Sequence, residues 1–430
     1  MRVLVLGAYG LLGSAITRQL LQDGHSVTGL GRSAKKGERL IREIKWIGAD
    51  IAKLIRSKDW GSHLKNIDIV VNASGALQTG LRDNVAAVQY RAMLALIEAC
   101  ETGGVSQFIQ ISVPEAELDA STEFYRTKAK ADNALKSSSL NWVIFRPGLV
   151  ISSQAYGGTS LMRSLAAFPW VQPIVLAKTH VQTVAIEDVS QAVSTAIADT
   201  LFGIDVDLIE TGTQTLGDLT LEFRRWLGFK APIAVLELPL WLGKLIGRFA
   251  DIFGWLGWRS ALRTTSLKVL ENGVKGDAKP WADISGRAVK PLSSTLKTMP
   301  STLQERIFAR VSLVFPVLLI IFSVFWITSG VIGVARHGAA VKTLEGVMDP
   351  ALASYFVRLG SLADIAIGLG VLFRPAARLS CLAAILLCFI YLIASTIYTP
   401  NLWVEPLGPM VKVFPVIALA IIILALLEER

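Results

Sequence analysis

The chain has 430 residues, 52% of them hydrophobic and 18% charged, with a formal net charge of +9. Ordinary soluble domains carry about 25% charged residues, so a single soluble enzyme is excluded, as are disordered and collagen-like chains. Three cysteines, Cys100, Cys381 and Cys388, frame no disulfide scaffold and fit a reducing compartment or a membrane interior.

In chain order, the first element is a short buried-type strand over 3–6, and a glycine turn follows at once. That apolar run is too short for a secretory signal, so the N-terminal part is expected in the cytoplasm. The turn reads Gly7-Ala8-Tyr9-Gly10-Leu11-Leu12-Gly13. Ile16, Leu20 and Leu21 then have helical spacing, Asp23-Gly24 ends the helix, and 26–30 is the next strand. In such a unit the first glycine allows the tight turn. The second lets the backbone approach a pyrophosphate, and the third lets helix pack on strand. The phosphates meet the positive end of the helix. The seven turn residues are therefore candidate dinucleotide contacts.

The end of the second strand selects the dinucleotide. A carboxylate there would accept hydrogen bonds from the adenosine ribose. The chain instead has Gly31-Arg32-Ser33, then Lys35 and Lys36. Arg32, with Ser33 beside it, is placed to clamp a 2′-phosphate, which favours NADP over NAD; the alternative is a solvated basic loop.

Strands predicted over 67–72, 108–112 and 142–146 alternate with helical patterns. The implied architecture is α/β, a Rossmann-type doubly wound parallel sheet that binds ligands at the carboxyl ends of its strands. Asp50, Ala73, Ser74, Gly75, Ser112, Lys128 and the Arg146-Pro147-Gly148 turn all fall at or after such ends. The nucleotide domain is expected over 1–225.

A basic, Trp-rich segment follows over 226–305. Residues 231–310 hold 12 Lys and Arg against 6 Asp and Glu, net +6 of the total +9. Leu242, Leu245, Ile246, Phe249, Ile252, Phe253 and Leu256 have helical spacing, and Lys244, Arg248 and Asp251 are expected on the opposite face. This fits an in-plane interfacial helix, with Arg259, Arg263, Lys268, Lys275 and Lys279 toward anionic lipid. A substrate lid fits equally. The charge distribution does not suggest nucleic acid, because the first 230 residues are nearly neutral.

The tail, 306–430, reads as an all-α four-helix transmembrane domain with spans over 311–335, 351–373, 379–400 and 410–427. An even number of spans puts both termini on one side, and Arg306, Arg310, Arg374 and Arg378 then lie inside. Asp364 falls inside the second span and shares a helix face with Gly360 and Gly368. With Arg358 it is the candidate functional residue of this domain; the alternative is a paired Asp that orders the bundle.

Gly7-x-x-Gly10-x-x-Gly13, Gly48-Ala49-Asp50, Asn72-Ala73-Ser74-Gly75, Thr127-Lys128-Ala129, Arg146-Pro147-Gly148 and Val184-Ala185-Ile186-Glu187-Asp188-Val189 together resemble the short-chain dehydrogenase/reductase superfamily. The likeness is to its atypical NAD(P)H-binding branch, which includes an accessory subunit of respiratory complex I. The resemblance implies that Ser112 holds a substrate oxygen and that Lys128 binds the nicotinamide ribose. The usual proton-donor Tyr lies four residues before the Lys. Here that position is Phe124, and Tyr125 follows it, three residues before Lys128 on a helix, so Ser112, Tyr125 and Lys128 are expected as a shifted catalytic set; the alternative is that Tyr125 is a surface helix residue. The tail resembles the DoxX-like membrane family through Trp326-Ile327-Thr328-Ser329-Gly330 and Arg358-x-Gly360-x-x-x-Asp364-x-x-x-Gly368. That implies a four-helix bundle and hints at lipid-phase redox chemistry.

Two functions follow. One is a membrane-anchored NADP(H)-dependent oxidoreductase acting on an apolar or quinone-like substrate at the membrane surface. The other is a non-catalytic NAD(P)H-binding redox sensor, or an assembly factor of a membrane complex. Both expect a multi-pass protein of the inner, or cytoplasmic, membrane with its nucleotide domain in the cytoplasm and the lipid bilayer as partner. The scattered His and Cys residues suggest no metal site.

Overall fold

The computed structural model describes residues 1–75, 79, 84–258, 262–344, 346 and 348–427. Arg259 lies outside the described residues. The chain divides into two compact units, Met1–Asp251 with Ala261–Arg306, and Ile252–Ser260 with Ile307–Arg430.

The first unit is built on a seven-stranded parallel sheet. Its strands are β1 (Arg2–Leu6), β2 (Ser26–Gly31), β3 (Lys45–Gly48), β4 (Ile69–Asn72), β5 (Gln107–Ile111), β6 (Asn141–Pro147) and β7 (Ile204–Leu208). Their order is β7-β6-β5-β4-β1-β2-β3. β1 lies between β2 and β4, so the winding reverses there, and the crevice opens between the carboxyl ends of β1 and β4, where Leu6 pairs with Asn72. Side chains alternate across a strand, and both faces here are covered. Val3 and Val5 pack with Ile16, Leu20, Ile109, Phe145 and Val193 on one face. Leu4 and Leu6 pack with Leu30, Trp60, Val70, Leu96 and Ile144 on the other.

Helix α1 (Leu11–Gln22) follows the glycine turn, and α2 (Glu123–Lys136), capped by the Thr122 side chain, carries the Tyr125 and Lys128 positions. The segment 226–305 is partly consumed by this core. Trp281 is buried and meets Phe145 edge to face, with centroids 5.3 Å apart. Trp226 donates through Nε1 to the Met299 carbonyl at 3.1 Å and stacks on Arg163 at 4.8 Å. A separate parallel ladder pairs Val171–Val175 with Ala234–Leu238, and α3 (Leu240–Trp255) follows it. The face of α3 opposite its apolar stripe carries buried Gly243, Gly247 and Gly254 instead of the expected charges. A Cβ at Gly243 would stand 2.7 Å from the Val175 side chain, which explains why small residues line that face. The expected charges are engaged elsewhere: Lys244 pairs with Glu271 at 3.0 Å, and Asp251 with Arg263 at 3.2 Å.

The second unit is helical. α4 (Leu303–Ala335) begins in the first unit and continues into this one, followed by α5 (Pro350–Leu372), α6 (Arg374–Tyr398) and α7 (Val413–Leu426). Among the described residues α4, α5 and α6 are long and apolar enough to cross a membrane. The predicted fourth span is a 14-residue helix. At 1.5 Å per residue it covers about 21 Å. Phe322, Trp326, Val371, Ala384, Ala420 and Ile423 form the bundle core. Close helix approach needs Gly368, whose Cβ would stand 2.9 Å from the Ser323 carbonyl oxygen. Ser323 Oγ donates to the Gly368 carbonyl at 2.8 Å.

Candidate functional site

The crevice is floored by the glycine turn. Gly7 has φ +70°, in the left-handed region, and a Cβ there would stand 3.0 Å from both the Ala73 oxygen and Ser74 Cα. A Cβ at Gly13 would collide with the Gly7 carbonyl, so the first turn of α1 can sit against the β1 turn only as glycine. Gly10 occupies the N-cap of α1 with no capping side chain, which leaves the helix end open to an anion. Ala8 is fully buried below the turn, and Leu11 and Leu12 are half-buried at its exit. Tyr9 lies over Gly31, tilts against Trp46 at 6.1 Å and carries Lys36 Nζ 5.8 Å from its ring centroid. The cradle fits a dinucleotide pyrophosphate: close-packed backbone and an open helix end.

Arg32 and Ser33 are exposed just past β2, and Ser33 Oγ accepts from the Lys36 N–H at 3.3 Å as cap of the next helix. Asp50 accepts from the Ala52 N–H at 3.2 Å and caps the turn after β3. Across the switch point, Asn72 fastens the Ala73-Ser74-Gly75 loop: its Oδ1 accepts from the Ser74 N–H at 3.0 Å and from Ser74 Oγ at 2.5 Å. Pro147 ends β6. A Cβ at Gly148 would stand 2.6 Å from the Gln182 oxygen, so this glycine serves backbone packing.

Ser112, Tyr125 and Lys128 are all buried, but no hydrogen bond joins them among the described residues. Lys128 Nζ donates to the Ile111 carbonyl at 2.7 Å and to the Ser74 carbonyl at 3.5 Å. It lies 3.9 Å from where a Gly75 Cβ would be, so its amine borders the loop that walls the crevice. Burial pushes that amine down to about 8. Ser112 Oγ donates to Asp132 Oδ2 at 2.5 Å. Burial, with Glu115 adding to it, pushes the Tyr125 hydroxyl up to about 12. A proton donor at neutral pH needs the opposite shift.

Sequence reasoning missed the network that engages Ser112. Arg146 Nη2 lies 3.0 Å from Asp132 Oδ2, and its Nε lies 2.6 Å from Asp205 Oδ1. Lys136 closes on Asp205 at 2.5 Å. The available signals were Asp132 one turn after Lys128 and the charge at alternate positions in Ile204-Asp205-Val206-Asp207-Leu208. Trp46 was also missed, although Gly29 and Gly37 both face its ring.

In the second unit Asp364 is buried and accepts from Ser329 Oγ at 2.7 Å and from the Tyr391 hydroxyl at 2.9 Å, so α4, α5 and α6 each contribute one group. Arg358 is exposed and donates to His337 Nε2 at 3.2 Å; it does not join Asp364.

Residues 7–198 match the NAD(P)H-binding family, and residues 323–421 match the DoxX-like family. The photosystem II assembly factor Ycf39 of Synechocystis is 31% identical over 148 residues, 34% of this chain and 44% of that protein. Protein TIC 62 of Pisum sativum is 29% identical over 171 residues, 34% of this chain and 32% of that protein. Subunit 9 of the NADH dehydrogenase [ubiquinone] 1 alpha subcomplex of Arabidopsis thaliana is 24% identical over 243 residues, 54% of this chain and 60% of that protein. The chain spans less than two thirds of the length of each of these three relatives. Among solved structures, gox2253 superposes with TM-score 0.54 at 18% identity, over 69% of this chain and 96% of that one. WbmH from Bordetella bronchiseptica, in complex with NAD+, superposes with TM-score 0.53 at 15% identity, over 72% and 98%. These likenesses show the fold. The chain thus joins an NAD(P)H-binding domain of the atypical short-chain dehydrogenase/reductase type to a C-terminal DoxX-like domain.

Proposed function

We propose that this chain is a membrane-tethered NADP(H)-binding protein that holds the dinucleotide as a ligand, senses redox state and supports assembly of a membrane complex. The observation that carries this reading is the engagement of Ser112 by Asp132. A hydroxyl spent on a buried carboxylate is not available to a substrate oxygen. Phe124 in the usual proton-donor position and the raised Tyr125 hydroxyl agree with it. The names of two relatives, a photosystem II assembly factor and a subunit of an NADH dehydrogenase, support the same direction. Arg32, exposed just past β2 where the sequence Gly31-Arg32-Ser33 supplies no ribose-binding Asp or Glu, favours NADP over NAD. The nucleotide domain is assigned to the cytoplasmic face of the inner membrane, as the arginines flanking the apolar helices suggest.

The second reading is an NADP(H)-dependent oxidoreductase for an apolar or quinone-like substrate. Lys128 favours it, because its amine borders the crevice and is pushed down to about 8. One experiment separates the two. The detergent-purified full chain is titrated with NADPH and then assayed for NADPH consumption with quinones and apolar carbonyls. The expected outcome is binding without turnover, with Tyr125→Phe binding as the parent does. Turnover that disappears in Tyr125→Phe while binding persists establishes the oxidoreductase. In the same titrations Arg32→Ala should lower the NADPH/NADH affinity ratio by about tenfold, the worth of one charge-assisted contact of about 1.4 kcal/mol.

A further inference from the structure

Helix α3 is packed inside out for a helix on a soluble domain. Its inner face is glycine: a Cβ at Gly243 would stand 2.7 Å from Val175, and one at Gly247 would stand 3.2 Å from Leu267. Its large side chains point away. Trp241 is 66% exposed, Phe249 and Ile252 each 57% and Trp255 59%, with Leu245 exposed between them. At 100° per residue these positions share one side of the helix, an arc of about 120° from Trp255 round to Phe249. Arg248, exposed, falls between Trp255 and Trp241 on that arc, and exposed Lys244, paired with Glu271, lies just beyond Trp255. Burying Phe249 and its neighbours in the protein would have stabilised the fold. The sequence instead places glycines where the helix meets the domain. Apolar side chains left outward in such a row mark a surface meant for another phase.

We infer that α3 lies in the interfacial zone of an anionic phospholipid bilayer, with the Trp241–Trp255 stripe turned into the acyl boundary and the Arg248 guanidinium reaching the headgroups. Three observations select a bilayer over a protein partner. Tryptophan stands near each end of the stripe, and its ring favours the membrane–water boundary. Two thirds of the chain's net positive charge, +6 of +9, falls in residues 231–310 around this helix. The same chain carries α4 to α6, long and apolar enough to cross a bilayer, so a membrane is held at high effective concentration. The inference deepens the membrane-tethered reading above and rests on it.

The test uses the full chain reconstituted into vesicles of phosphatidylcholine and phosphatidylglycerol. Nitroxide labels are placed singly at positions 245, 249 and 58, on a background in which Cys100, Cys381 and Cys388 are replaced. At 245 and 249, accessibility to oxygen should exceed accessibility to a water-soluble nickel chelate, and at exposed Lys58 the order should invert. Vesicles of phosphatidylcholine alone should weaken the contrast at 245 and 249. Labels at 245 and 249 that behave like the one at 58 overturn the inference. So does low accessibility to both reagents, which indicates a protein contact. A chain that vesicles fail to retain overturns the membrane-tethered reading itself. A retained chain with water-exposed labels overturns only the seating of α3, and neither result bears on NADPH binding.

Discussion

Lys128 is a buried amine whose partners are carbonyl oxygens rather than a close carboxylate. The Ile111 and Ser74 carbonyls accept its protons, and Asp132, one helical turn on, raises its affinity for a proton. Desolvation outweighs both and holds the amine at about 8, against an ordinary value of 10.5. The sign of the consequence is fixed by proton counting. Between about pH 8 and 10.5 the unfolded chain binds a proton that the folded chain lacks, so stability rises with pH across that window. Below pH 8 both states are protonated and the cost of the buried charge is constant. Measured without nucleotide, the parent should therefore gain stability relative to Lys128→Met as pH is raised from 8 to 10. Tyr125 acts oppositely above pH 10, because its folded value of about 12 exceeds the ordinary 10.0, but it is common to both proteins and cancels in the difference. Urea unfolding of the two proteins at pH 7.5, 9 and 10 reads this out. A difference independent of pH would mean that Lys128 is solvated in the folded chain.

Elements that depend on neighbours in sequence were legible, and elements that depend on distant partners were not. The strand–glycine turn–helix unit is specified within 22 residues, and its bounds appear in β1 and α1 as expected. β3 was not read, because Lys45-Trp46-Ile47-Gly48 is four residues at the sheet edge with no clear period. β7 was not read either, since its two aspartates mask a strand: Asp205 is paired from β6 and α2, and Asp207 accepts from the Asp277 N–H. The Asp132–Arg146–Asp205 cluster joins residues as far as 59 apart, which no local pattern reveals. That cluster ties α2 to β5, β6 and β7. Removing one partner of a buried ion pair costs about 3–5 kcal/mol. Arg146 keeps Asp205, so Asp132→Ala should cost the nucleotide domain about 3 kcal/mol, the lower end of that range. Asp132→Asn should cost less. Its carbonyl oxygen still accepts from Ser112, and burial already raises the Asp132 carboxyl, favouring a neutral group there. Equal stability of all three proteins in urea unfolding would deny the cluster a structural role.

At the scale of the whole molecule, the high apolar content divides into two kinds of surface. In the first unit it is a two-faced sheet core, plus the outward stripe of α3 as far as Asp251. In the second it is helices whose large side chains face outward, as Ile321, Leu362 and Leu386 do. The side on which the chain ends depends on α7. Its 14 residues fall about 9 Å short of a hydrocarbon core of about 30 Å. Such mismatch costs only fractions of a kcal/mol per Å, through local thinning of the bilayer or snorkelling of flanking residues, and Lys412 stands at the N-cap of α7 to do so. Against that cost stand 14 residues without a charge, each Leu, Ile, Val or Phe favouring insertion by about 0.3–0.6 kcal/mol. Ala420 and Ile423 are also fully buried in the bundle core, which holds α7 beside its neighbours. The balance favours a crossing, so four crossings are expected and the C-terminus should lie on the same side as the nucleotide domain. An impermeant thiol reagent applied to sealed vesicles reads this. A cysteine introduced after Leu427 should react from the same side as a cysteine at Lys58. Reaction from opposite sides would leave α7 lying along one surface and reduce the crossings to three.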